Sequence, residues 1–244
     1  MLQAVLFDLW ETLINDRPER AQPRRAWRNG AVLEVLHRHG CQTGVEAVQA
    51  ALDASSAALA RLHDQGKDLE AGGRARLFAG QLESLAGFEP SAAAIQDLED
   101  VITSMPLDIA PLAAPHAAET VAAVKRRGLA TALVCNAGFT TTPALLPMLE
   151  HYGLSQYLDV MVFSDQLGVA KPDPRIFGQA LKGIDLPAGV CAFVGDNPHT
   201  DIHGAQSAGL FAIQVGAKER NGIRPDARIE DLSQLMDVLE RLQS

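Results

Sequence analysis

Ala4-Val5-Leu6-Phe7-Asp8 opens the chain on four apolar residues followed by a carboxylate. A short apolar run of this kind reads as a strand buried on both faces of a parallel sheet, with Asp8 at its C-terminal end. One strand cannot be stable alone. Its sheet partners begin only after about Ile109, where strand and helix patterns alternate. The expected strands are Ala130–Val134, Val160–Phe163, Val190–Val194 and Phe211–Val215. The expected helices are Glu119–Arg127, Pro143–His151, Pro174–Lys182, Asp201–Ala208 and Leu232–Leu242. Such alternation implies a parallel sheet with right-handed crossovers.

Between Asp16 and Leu107 the texture is different. Apolar residues at Ala31 to Leu36, Val45 to Leu62, Ala75 to Leu85 and Ala92 to Ile102 recur at helical spacing. Gly30, Gly40, Gly66, Gly72-Gly73, Gly87 and Pro90 punctuate them. The expected organisation is a three-layer, Rossmann-like α/β core formed by residues 1–14 and 108–244, with an all-helical insertion at 15–107.

Composition narrows the function. The 244 residues carry 21 basic and 30 acidic side chains, a formal net charge of −9, so no overall field draws the chain to nucleic acid. Aromatic residues are only 5%, too few for a base-stacking surface. Cys41, Cys135 and Cys191 are far apart and odd in number, which suits a reducing, cytoplasmic setting. The first residues lack a basic segment and Asp8 interrupts their apolar run, so a signal peptide is not expected. No apolar stretch reaches the ~18 residues of a membrane span.

In open parallel sheets, ligands sit beyond the carboxyl ends of the strands. Asp8 stands there, as do Cys135-Asn136, Lys171-Pro172-Asp173 and Gly195-Asp196-Asn197, with Asp201 close behind. Three carboxylates on one rim repel one another unless a cation is present, and oxygen donors suit Mg²⁺. Such an ion would shield a phosphate from Asp8 and let that carboxylate attack. Lys171 would neutralise remaining charge, and Asn136 would donate to transferring oxygens.

With Phe7-Asp8-Leu9-Trp10-Glu11-Thr12-Leu13, Leu133-Val134-Cys135-Asn136, Lys171-Pro172-Asp173 and Val194-Gly195-Asp196 plus Asp201 in this order, the chain resembles the haloacid dehalogenase-like hydrolases, a superfamily dominated by phosphatases. The resemblance implies that Asp8 is nucleophile and Mg²⁺ ligand. It implies further ligands in the Trp10 carbonyl, Asp196 and Asp201. Thr12, Cys135 and Asn136 become a substrate-facing shell, Trp10 a neighbour of the substrate, and the helical insertion a C1-type cap. The expected substrate is a small anionic metabolite, and the expected assembly a monomer or homodimer.

The pattern departs in one important place. Family phosphatases usually carry a second Asp two residues after the nucleophile as the acid–base group. Trp10 stands there, and an indole cannot do that work. A Mg²⁺-dependent phosphatase with a substitute acid is the first reading, with Glu11, His199 and carboxylates of the insertion as candidates. Alternatives are a dehalogenase-like hydrolase, a phosphonatase-like hydrolase using Lys67, and a module that binds without turnover. Cys135 replaces the usual hydroxyl and is read as an inert small residue. Arg17, Arg20, Arg24, Arg25 and Arg28 read as a solvated face from which one could reach a substrate anion.

Overall fold

The computed structural model describes residues 1–243. The chain runs through β1 (Ala4–Phe7) and β2 (Ile14–Asn15) into four helices: α1 (Pro18–Arg38), α2 (Val45–Asp64), α3 (Ala71–Ala86) and α4 (Ala92–Thr103). It returns through β3 (Leu112–Ala113), α5 (Ala117–Arg126), β4 (Ala130–Cys135), α6 (Thr142–His151), β5 (Val160–Phe163), α7 (Ser164–Leu167) and α8 (Pro174–Ile184). The closing elements are β6 (Cys191–Gly195), a π-helical turn at Pro198–His203, α9 (Gly204–Ser207), β7 (Phe211–Val215), β8 (Ala227–Ile229) and α10 (Leu235–Gln243).

Six strands form one parallel sheet in the order β5-β4-β1-β6-β7-β8. β1 lies inside it, with Ala4 in register with Ala130 on one side and Cys191 on the other. Side chains alternate across a strand, so each face of β1 feeds a different layer. Val5 and Phe7 join the core beneath α5, α6 and α10, with Val121, Leu145 and Leu239. Ala4 and Leu6 join the opposite core with Ile176 and Phe177 of α8. All four β1 side chains are fully buried. The α/β/α architecture therefore agrees with the sequence expectation.

The helices α1 to α4 enclose a third core built from Val32, Leu36, Val48, Leu52, Phe78, Leu82, Leu98 and Ile102. Phe139, from the loop after β4, inserts into it. Gly30 and Gly72-Gly73, read above as breaks, lie inside α1 and α3. A helical glycine costs about 1 kcal/mol relative to alanine. The buried stripe of Val32, Val35 and Leu36 outweighs that cost in α1. The chain leaves for these helices through β2 and comes back through β3, which pair antiparallel outside the main sheet. No helix among the described residues is long and apolar enough to cross a membrane.

Candidate active site

Asp8 follows β1 directly, and its amide donates to the Val194 carbonyl of β6 at 2.9 Å. Its carboxylate, only 5% exposed, is thereby fixed at the sheet's carboxyl edge. Lys171 reaches the same point from the loop before α8. Asp173 caps that helix by accepting from the Arg175 amide at 2.9 Å, and Pro174 occupies its first turn. The Lys171 ammonium is buried, pairs with Asp8, and lies 2.8 Å from Asp201 Oδ1.

Asp201 sits in the π-helical turn and folds back beneath the end of β6. Its Oδ2 accepts from the amides of Asp196 at 3.1 Å and Asn197 at 2.9 Å. Gly195 makes this approach possible, because a Cβ there would stand 2.6 Å from the Asp201 carboxyl. Asp8, Asp196 and Asp201 each offer an oxygen, and the three atoms lie within 4.8 Å of one another.

The charges explain the titration. Burial pushes Asp8 up to about 7; Asp201 and Asp196 push the same way, and Lys171 opposes them. Burial works against the Lys171 ammonium, but Asp201 and Asp8 outweigh it and hold its pKa above the ordinary lysine value. Asp196 is raised by burial and by Asp201, with Lys218 opposing. An anionic trio answered by two ammonium groups is short of positive charge at its centre, the condition under which a hard divalent cation binds. The donor set of three carboxylates at one cavity edge fits Mg²⁺.

A cavity of about 300 Å³ opens over this cluster. Asp8, Trp10, Asn136, Lys171, Asp196 and Asp201 line it from below. Ala60, His63 and Asp64 of α2 line it from above. Asn136 is positioned differently from the role expected of it. Its Nδ2 donates to the Lys171 carbonyl at 2.9 Å and its Oδ1 accepts from the Lys171 amide at 2.8 Å, so it braces the lysine loop.

Cys135 and Thr12 are not brought to the cavity. Cys135 is fully buried at the end of β4, and burial together with Asp8 pushes its thiol well above the ordinary value. Thr12 lies under the neighbouring groove lined by Val215 and Lys218. Trp10 does line the cavity, half-buried, with its indole Nε1 buried and unpartnered. His199 does not line it and stacks on His203 instead. Glu11 lines it, but its carboxylate accepts from the Asp16 amide. Lys67 is not among the lining residues; its backbone bridges to Val169.

Two features were missed in the sequence. Lys218, just beyond β7, pairs with Asp196. Its place three residues past the carboxyl end of β7 is the signal for it in the sequence. Arg74 of α3 and Asp68 form a buried pair, with Nη2 of Arg74 at 2.9 and 3.0 Å from the two carboxylate oxygens. Arg74 also donates to the carbonyls of Gly138 at 2.7 Å and Ala137 at 2.9 Å, immediately after Asn136. No local pattern announces that pair.

A second chamber of about 370 Å³ shares Trp10, His63 and Asn136 with the first and continues to Arg24 and Arg28. Arg24 is paired with Asp16. Arg28 has no carboxylate partner among the described residues. It makes only long contacts, 3.3 Å to Thr140 Oγ1 and 3.4 Å to the Ser104 carbonyl, and its buried Nε has none. Burial and the neighbouring Arg24 lower its pKa to about 10, with Asp16 opposing.

The family model for haloacid dehalogenase-like hydrolases matches residues 2–209. A phosphoserine phosphatase of Thermus thermophilus is 36% identical over 125 residues, which cover 50% of this chain and 49% of that protein. A phosphoglycolate phosphatase of Pectobacterium atrosepticum is 32% identical over 131 residues, 52% and 54% of the two chains. The chain thus spans about half the length of these curated relatives. A 2-haloacid dehalogenase from Pseudomonas syringae superposes with a TM-score of 0.69 at 23% identity, covering 99% of this chain and 100% of the other. A phosphatase from Thermococcus onnurineus gives 0.67 at 17% identity, with 98% of each chain covered. Both structural likenesses speak to the fold alone.

Proposed function

Since the chain belongs to the haloacid dehalogenase-like hydrolases, we propose that it is a Mg²⁺-dependent phosphatase that hydrolyses a small phosphorylated metabolite through an aspartyl intermediate on Asp8. The observation that carries this reading is the buried Asp8, Asp196 and Asp201 trio, gathered within 4.8 Å at the sheet edge beside Lys171. A dehalogenase would not require three carboxylates competing for one charge deficit. The phosphatase names among the curated relatives point the same way.

Asp8, Asp196 and Asp201, with the Trp10 carbonyl, would hold the ion. Bound Mg²⁺ would supply charge screening between an incoming phosphate and the Asp8 carboxylate. Asp8 Oδ1 is held by Lys171, so the second oxygen is the one free to attack phosphorus. Lys171 keeps its proton throughout and faces the developing charge. Asn136 fixes the lysine backbone so that this geometry does not have to form during the reaction. Helices α1 to α4 act as the cap, with residues 15–107 closing over the core.

The acid cluster makes metal and stability covary with pH. Asp8 binds its proton more tightly folded than unfolded, so metal-free stability falls as pH rises from about 4 towards about 7. Mg²⁺ should therefore raise the melting temperature more at about pH 8 than at about pH 5, where it competes with that proton. Differential scanning fluorimetry at both pH values reads this directly. Equal or absent shifts would refute the metal assignment.

The substrate is expected to carry a second anion. Arg28 is a half-buried cation without a carboxylate partner, on a chamber continuous with the catalytic cavity. A guanidinium in that condition is completed by a carboxylate or phosphate fork. Arg28→Met should raise KM for phosphate esters with a second anionic group by roughly 10–100-fold, matching about 1.5–3 kcal/mol for a charged hydrogen bond. The rise should be smaller for a simple aryl phosphate. A panel of phosphomonoesters with Mg²⁺ tests the activity itself, and silence across the panel would sink the reading.

A further inference from the structure

The geometry points to His63 as the proton donor to the leaving group, in the role that Trp10 cannot fill; this rests on the phosphatase reading above. The donor enters from the helical segment, not from the strand that carries the nucleophile. Four observations lead there.

First, the core supplies no free acid. Trp10 has only a donor N–H. Asp8, Asp196 and Asp201 are committed to the charge cluster. Glu11 holds the Asp16 amide. Secondly, His63 of α2 lines the same cavity as Asp8 and Lys171.

Thirdly, a buried carboxylate stands behind it. His63 Nε2 lies 3.2 Å from Asp68 Oδ1, within ion-pair range though off the ideal hydrogen-bond line. The other ring nitrogen, Nδ1, has no hydrogen-bond partner among the described residues. Asp68 is itself locked by Arg74, by the Ser164 hydroxyl and by the Leu69 amide. Burial works against its negative charge, but His63, Arg74 and Ser164 outweigh it and hold Asp68 below the usual carboxylate range. A fixed carboxylate orients an imidazole and stabilises the imidazolium.

Fourthly, the position is rigid. The Ala170 amide donates to the Gly66 carbonyl at 3.1 Å, and the Asp68 amide to Gly168 at 3.2 Å. Those bonds tie the end of α2 to the loop that ends in Lys171. Gly66 is required there, because it has φ +73° and a Cβ would meet Asp173 at 2.7 Å.

The step balances. An Asp8 oxygen bonds to phosphorus as the P–O bond to the leaving group breaks. The departing oxygen takes the Nδ1 proton of the His63 imidazolium and leaves as an alcohol. Water then attacks the phosphoryl group of the aspartyl phosphate and gives its proton to the neutral imidazole. Phosphate departs, and Asp8 and protonated His63 are regenerated.

A structural clasp between α2 and α3 would use the same contacts, so the test must separate leaving groups. The full-length His63→Gln and Asp68→Asn variants are assayed with Mg²⁺ on p-nitrophenyl phosphate and on a primary alkyl phosphate. Nitrophenolate departs without help, whereas an alkoxide needs the proton. In His63→Gln, kcat/KM on the alkyl ester is expected to fall roughly 10²–10⁴-fold. The loss on the nitrophenyl ester should be smaller, so that the ratio widens at least tenfold. Asp68→Asn, a change in a positioning residue, should widen the ratio less. Equal loss on both esters, or no loss on either, overturns the assignment while leaving Asp8 in place. Silence of the parent protein on both esters removes the phosphatase reading and this donor with it, whereas turnover that survives Asp8→Asn removes the aspartyl intermediate on which the donor acts.

Discussion

Asp8→Asn is expected to lower kcat by at least about 10⁴-fold, the order seen when a covalent nucleophile is removed, without unfolding the protein. The amide keeps the shape of the carboxylate but cannot form the aspartyl ester. It also takes one negative charge out of a crowded site. Asp8 titrates near 7 because burial, Asp201 and Asp196 all disfavour its charge more than Lys171 favours it. The variant should therefore melt no lower than the parent above neutral pH. Lys171 retains Asp201 as partner at 2.8 Å. Kinetics on an active phosphomonoester, with a melt on the same sample, measures both sides. Activity within tenfold of the parent would mean that another group attacks phosphorus.

The second large effect falls on stability. Arg74→Met is expected to cost about 3–5 kcal/mol, because it leaves the fully buried Asp68 carboxylate without its main counter-charge. It also strips donors from the carbonyls of Ala137 and Gly138. In a chain of this size the melting temperature should drop by roughly 10 °C. The double variant Arg74→Met with Asp68→Leu should recover part of that loss, since removing both charges costs less than orphaning one. Thermal denaturation of the three proteins decides the matter. A single variant that melts within a degree or two of the parent would show that this pair does not clasp the helical segment to the sheet.

How much of this was legible beforehand depends on whether the signal is local. β1 and the later strands announced themselves as apolar runs, and Asp8, Lys171, Asp196 and Asp201 stood at their ends. The two-residue strands β2 and β3 were not seen, because two residues carry no periodicity. β8, only three residues long, was missed because it is barely longer. The expected helix from Asp201 to Ala208 is instead the π-helical turn followed by α9. That turn lets Asp201 fold back to the Asp196 and Asn197 amides, which a regular helix beginning at Asp201 would not do. Asn136 was read as a donor to substrate, but its amide is satisfied on the Lys171 backbone, a pairing across 35 positions that no motif encodes. Glu11, His199 and the carboxylates of the insertion were the acids the sequence offered, and of these Glu11 and Asp64 line the cavity. His63 was not among them, since a histidine at the end of an alanine-rich helix has no distinguishing neighbours until the chain folds.

The inner place of β1 has a consequence for how the molecule assembles. Ala4 pairs with Ala130 and with Cys191, which lie 126 and 187 positions further along. Helices α1 to α4, which lie in between, draw their contacts mainly from one another and can collapse early. Sheet partners so remote must be found by long-range search, and topologies dominated by such contacts fold slowly. The strand that carries Asp8 is thus held out of register until distant segments arrive. An assay of reappearing turnover during refolding would report the last long-range docking event, after helical signal has already returned.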